Sequence, residues 1–179
     1  MPVAVKGAVA LRKALKEFTP DLAKQLPKEM AIALKPVVKA ARGYMPSDGQ
    51  IISNWTPQPT RKATFARFPF YVASKAKAGI GYKTTPSKPD RRGFRSLARL
   101  FNKSAAGAIY EIAGRINPDS VFVKNIKGKY GSTMKGKNEM EGRVLYRAYE
   151  EDRGKAQDGV IKAIEKVTAK LNKRATVRG

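Results

Sequence analysis

The run Met30-Ala-Ile-Ala-Leu-Lys-Pro-Val-Val-Lys-Ala-Ala-Arg-Gly-Tyr44 decides the fold class. Met30, Leu34, Val37, Val38, Ala41 and Tyr44 recur at i, i+4, i+7, i+8, i+11 and i+14, the single apolar stripe of an amphipathic helix. Pro36 inside the stripe predicts a kink or a loosened turn. Gly43, followed by Met45-Pro46, supplies the stop. Upstream, residues 8–17 are rich in helix formers, with Val9, Leu11 and Leu15 near one face. Thr19-Pro20-Asp21 reads as cap, N1 proline and first-turn acid, restarting a helix, and Pro27 predicts a second restart.

At the other end, Leu145, Tyr149, Ala156, Val160, Ile164, Val167 and Leu171 hold one stripe across residues 144–172. Asp152 is its misfit. Gly154 and Gly159 predict either two helices or one bent helix. Between these helical ends, Val72–Lys83 alternates: Ser74, Ala76, Ala78, Ile80 and Tyr82 on one side, Lys75, Lys77 and Lys83 on the other. This predicts a half-buried strand with a basic open face. Thr84–Gly93 has hairpin-loop composition, and Arg95–Asn102 is open between strand and helix, a returning strand being the simpler topology. Ser104 caps a short helix over Ala105–Ala113, closed by Gly114. Val121-Phe122-Val123 reads as another short strand.

The expected fold is therefore α+β, in one domain over residues 1–179. A small antiparallel sheet carries the long N-terminal and C-terminal amphipathic helices packed on one face. Residues 56–70 read as an irregular connector with Trp55 as a local anchor. Residues 84–93 and 124–142 read as mobile loops.

Charge sets the function class. The 179 residues carry 37 Lys and Arg against 14 Asp and Glu, a net +23. Between Ser47 and Met140 the count is 18 against 5, whereas residues 1–46 have 9 against 3 and residues 141–179 have 10 against 6. An excess of this size costs folding stability through self-repulsion, and its common use is contact with a polyanion. No apolar run approaches the roughly 20 residues that span a bilayer, so no membrane role is expected. The chain has no Cys and no His. That removes thiolate and imidazole metal sites together with Ser-His-Asp and Cys-His chemistry. Asp48, Asp90, Glu111, Asp119 and Glu139 share no motif spacing, so neither enzyme activity nor a cofactor is expected.

The candidate nucleic-acid contacts are Lys75, Lys77, Lys83, Arg91 and Arg92 first, then Lys88, Lys124, Lys127, Lys129, Lys135 and Lys137. Lysines also cover ordinary solvated surfaces. What raises these above that reading is their clustering with almost no acid nearby. Lys outnumbers Arg 23 to 14, which leans toward sequence-blind phosphate contact rather than base reading. Phe65, Phe68, Phe70, Tyr71, Tyr82, Phe94 and Phe101 are spaced like core anchors more than a stacking platform. Gly128–Lys137 lacks the order of a phosphate-binding loop.

The order of pieces resembles a known family. The Gly7–Lys16 helix leads to Leu26-Pro-Lys-Glu-Met30 and Lys35-Pro-Val-Val-Lys-Ala-Ala-Arg42, then to Met45-Pro46 and Ser53-Asn54-Trp55. Asn102-Lys-Ser-Ala-Ala-Gly-Ala-Ile-Tyr-Glu-Ile-Ala-Gly-Arg115 and Arg143-Val-Leu-Tyr-Arg-Ala-Tyr149 follow. Together they resemble the head–tail joining, or tail-completion, proteins of siphophages. The resemblance implies a virion protein, folded in the host cytoplasm, that forms a ring, expected to be a hexamer, in the phage neck. Its implied neighbours are portal, adaptor or stopper proteins, the tail terminator or tail tube, and DNA in the lumen. A free, sequence-independent nucleic-acid-binding protein is the alternative from another class.

Overall fold

The computed structural model describes residues 7–57, 69–130 and 142–177. The fold is α+β, with a two-stranded antiparallel sheet among helices. The elements run α1 (Ala8–Phe18), α2 (Pro20–Tyr44), two short 3₁₀ turns (Asp48–Gln50 and Ser53–Trp55) and α3 (Ala73–Gly79). Then come β1 (Ile80–Lys83), β2 (Arg99–Asn102), α4 (Ala105–Ile112), α5 (Val121–Tyr130), α6 (Leu145–Glu151) and α7 (Lys155–Val177). Two compact units emerge. The first draws on Met1–Pro36, Tyr82–Leu100 and Gly154–Gly179, and the second on Val37–Gly81 and Phe101–Arg153.

In the first unit, Leu15 of α1, Leu22, Leu26 and Met30 of α2, and Ala163, Ile164 and Val167 of α7 form a buried cluster. α2 and α7 run antiparallel along a polar seam. Arg174 pairs with Asp21 at 2.8 Å, Lys170 donates to Gln25 at 3.1 Å, and Lys166 pairs with Glu29 at 2.9 Å. The seam continues to Gly159, where an added Cβ would lie 2.6 Å from the Cβ of Ala33. Gly159 thus keeps the seam closed, at the cost in helix propensity that its sequence position implies.

Pro20 does open α2, but neither Pro27 nor Pro36 interrupts it. Burial of Leu22, Leu26, Met30 and Leu34 along one side holds the helix through both prolines. The carbonyls that Pro27 and Pro36 leave without a helical donor belong to Ala23, half-buried, and Ile32, exposed. The C-terminal stripe resolves as two helices: Arg153 and Gly154 take φ of 52° and 82°, which ends α6 and admits α7.

The second unit centres on Tyr71, whose hydroxyl donates to the Pro46 carbonyl at 2.7 Å. Trp55 is the anchor expected of it, 4 % exposed, donating to the Pro69 carbonyl and packed edge-on against Phe122. Ser104 caps α4 by accepting from the Gly107 N–H, and Gly114 follows with φ of 90°. Three readings need correction. The strand expected over Val72–Lys83 is helical as far as Gly79, and only Ile80–Lys83 is extended. Ala and Lys are good helix formers, their alternation commits no large side chain to a sheet face, and Asp48 accepts from the Ala73 N–H at the helix start. Val121-Phe122-Val123 opens α5 instead of a strand, because Ser120 accepts from the Val123 N–H and Val123 and Ile126 are buried at i, i+3. The helix also takes in residues 124–130 of the expected 124–142 loop. Residues 58–68 of the expected connector lie outside the described residues.

Gly159→Ala tests the seam. Better helix propensity would add about 1 kcal/mol of stability, whereas overpacking at 2.6 Å costs about 1–3 kcal/mol. The single variant should melt lower than wild type, and Ala33→Gly combined with Gly159→Ala should recover most of the loss in a thermal scan.

Candidate nucleic-acid interface

Asp90 organises the loop between β1 and β2. Gly93 donates to the Asp90 carbonyl at 3.0 Å, closing a β-turn, and Gly93 takes the positive φ (76°) that the next step needs. The Asp90 carboxylate, through Oδ1, accepts from the N–H groups of Arg92 at 2.9 Å and Phe94 at 2.8 Å. Asp90 in turn donates its N–H to the Phe94 carbonyl. Further down, Ser87 donates to the Ser96 carbonyl, and Ser96 donates back to the Ser87 hydroxyl, both at 2.9 Å. Residues 84–93, read from composition as a mobile loop, are therefore a hydrogen-bonded extension of the ribbon.

The ribbon's base is fixed within the first unit. Leu97 and Ala98 pack against its apolar cluster, and the Arg12 guanidinium donates to the Thr84 carbonyl. The tip is basic. Lys83, Lys88, Arg91, Arg92 and Arg95 are all exposed. The acid among them, Asp90, is engaged by backbone N–H groups. Two adjacent arginines on a fixed turn suit phosphate oxygens, since each guanidinium can offer two parallel donors.

Of the residues proposed from the sequence, Lys83, Lys88, Arg91 and Arg92 thus come together on one ribbon. Lys75 and Lys77 do not share a strand face with Lys83. They sit on α3 in the second unit, Lys75 exposed and Lys77 half-buried. Lys124 is exposed on α5, and Lys127 and Lys129 belong to the same helix. Lys135 and Lys137 lie outside the described residues. Arg95, exposed at the same tip as Arg91 and Arg92, is not among the residues the sequence singles out, because its segment reads equally as strand or helix. The Asp90-Arg-Arg-Gly93 run, with acid at the first turn position and glycine at the fourth, is the signal that locates the tip.

One buried acid has the environment of a catalytic group. Glu111, 4 % exposed, is held above the usual carboxylate range by burial, against the pull of backbone N–H donors and Arg115. Its partners explain it structurally: the carboxylate accepts from Leu145 and Tyr146, both at 2.9 Å, and so caps α6. Gly142 makes room, since a Cβ there would lie 2.2 Å from a Glu111 oxygen. Buried Arg143 donates to the Tyr110 carbonyl at 3.0 Å with its guanidinium 5.8 Å from the Tyr110 ring centre. Among the described residues no group of three or more Asp or Glu could hold a metal ion, and no helix is long and apolar enough to cross a membrane. No family model matches the chain, and no curated protein or solved structure matches it.

Glu111→Gln keeps the shape but turns one acceptor into a donor facing an N–H, which should cost about 1–3 kcal/mol. Because the folded-state pKa is raised, the native protein holds this proton more tightly than the unfolded chain. Wild-type stability from this group is thus greatest at acid pH and falls as pH rises above about 4.5. The stability gap between wild type and Glu111→Gln should accordingly shrink from about pH 4.5 upward in denaturant titrations.

Proposed function

We propose that the protein is a structural subunit of a phage neck, a head-to-tail connector or tail-completion protein. Its subunits associate in a ring around the DNA path, between the portal side and the tail. The reading draws on the ordered resemblance from Gly7–Lys16 to Arg143–Tyr149. The observation that carries the contact itself is the Asp90-tied turn, which fixes exposed Arg91 and Arg92 on a ribbon with little counter-charge. Such a tip attracts phosphate without reading bases, because the attraction is electrostatic and falls with salt. A connector needs a grip of this kind, since DNA of any sequence must pass. No step of chemistry is assigned to it, and Glu111 serves the fold.

Size-exclusion chromatography in high salt, with and without duplex DNA, tests the assembly. Rings that persist without DNA support the connector. A monomer that shifts duplex DNA at nanomolar concentration supports the free nucleic-acid-binding protein instead. Arg91→Ala with Arg92→Ala should leave the assembly state and melting temperature unchanged. It should weaken duplex binding equally across sequences and lower the salt slope by about two. Unchanged binding would remove the ribbon from the interface.

A further inference from the structure

The lysines of α2 and α7 were not among the residues singled out by sequence. At about 100° per residue, Lys155, Lys162 and Lys173 fall within about 20° of one another on α7, along about 27 Å of axis. On α2, Lys24, Lys28 and Lys35 fall within about 40°. All six are exposed, and no described residue forms an ion pair with any of them. The seam fixes where these stripes point. On each helix, at the same 100° per residue, the seam residues (Asp21, Gln25 and Glu29; Lys166, Lys170 and Arg174) run from beside the lysine stripe to the edge of the buried side. Both stripes therefore lie on the solvent side of one antiparallel pair, within one unit.

We propose that this outer face of α2 and α7 is a second binding surface, for the phosphate backbone of duplex nucleic acid. It rests on the polyanion reading of the protein but not on the ribbon. The two acids nearest the pair's centre, Asp21 and Glu29, are taken up by Arg174 and Lys166. Asp158 and Glu165 sit on the far flank of α7, about 60–80° from its stripe. The face is long enough for about eight base pairs at about 3.4 Å each. α7 has no aromatic residue and α2 has none before Tyr44, so nothing offers stacking to unpaired bases. Ile32 is the large apolar side chain exposed near the α2 stripe, and the apolar sides of both helices are buried, which argues against insertion into a lipid surface.

The test uses the full chain and a random-sequence duplex, read by fluorescence anisotropy over a salt series, with circular dichroism as the check on folding. Lys155→Ala, Lys162→Ala and Lys173→Ala together should weaken binding and lower the salt slope by about three. The loss should add to that of Arg91→Ala with Arg92→Ala. Charge reversal at Lys24, Lys28 and Lys35 should weaken binding further. If the triple α7 variant keeps wild-type affinity and slope while the arginine variant weakens, the face is overturned and the ribbon reading stands. If wild type fails to bind the duplex even at low salt, both fall. If polyglutamate or phosphatidylserine vesicles bind as tightly as the duplex at equal ionic strength, the assignment to nucleic acid is overturned.

Discussion

Scarcity of negative charge governs this molecule. With 37 basic side chains and 14 acidic ones, the fold cannot neutralise its surface, and several of its acids act where they constrain the backbone or join elements. Asp21 and Glu29 tie α2 to α7. Asp48 accepts at the start of α3, Asp90 sets a turn, Glu111 caps α6, and Glu151 takes both Arg147 and the Tyr44 hydroxyl. Isolated surface pairs stabilise little. Here several of the acids act on backbone N–H groups or between elements distant in sequence, where they specify geometry more than they add energy.

The basic groups left over are a consequence of that deployment. An acid committed to a turn or a helix start is not available to screen its neighbours. The Asp90 turn shows this at short range: the same carboxylate that orders the tip has its Oδ1 turned to backbone N–H groups, leaving Arg91 and Arg92 to solvent. The seam shows it over a longer distance. Once Lys166 and Arg174 are matched, the lysines beside them face water without partners.

Long-range periodicity made much of this legible in the sequence. Stripes of six or seven large apolar residues named α2 and the α6–α7 region, and Ser104 with Gly114 bounded α4, because caps and apolar periods are local signals. The failures share one cause. Val72–Lys83 and Val121–Val123 are short segments in which alternation or β-branched residues compete with helix propensity, and distant or capping side chains decide: Asp48 for α3, Ser120 for α5. The candidate site was half legible. Charge density pointed to the stretch from Ser47 to Met140, with candidates from Lys75 to Lys137. It could not separate lysines on a ribbon from those on α3, nor find the α2 and α7 stripes, whose common side is defined by pairings across 137 to 153 residues of sequence.

Rigidity distinguishes the two basic surfaces. The ribbon's arginines stand on a turn fixed by six hydrogen bonds between residues 87 and 96, so little backbone entropy would be lost on meeting a phosphate. The lysines of α2 and α7 stand on rigid helices but end in flexible stems that bind as hydrated point charges. A channel lined only by preorganised arginines would hold each phosphate tightly and resist movement. One lined only by lysines would attract DNA without positioning it. In the proposed connector, a few fixed arginines with broader lysine faces would reconcile capture with passage, because loose contacts exchange as a strand moves while fixed ones set its distance from the protein. The same proposal would make the charge excess tolerable: a polyanion on the face would relieve self-repulsion in the free subunit, so binding and stability would rise together.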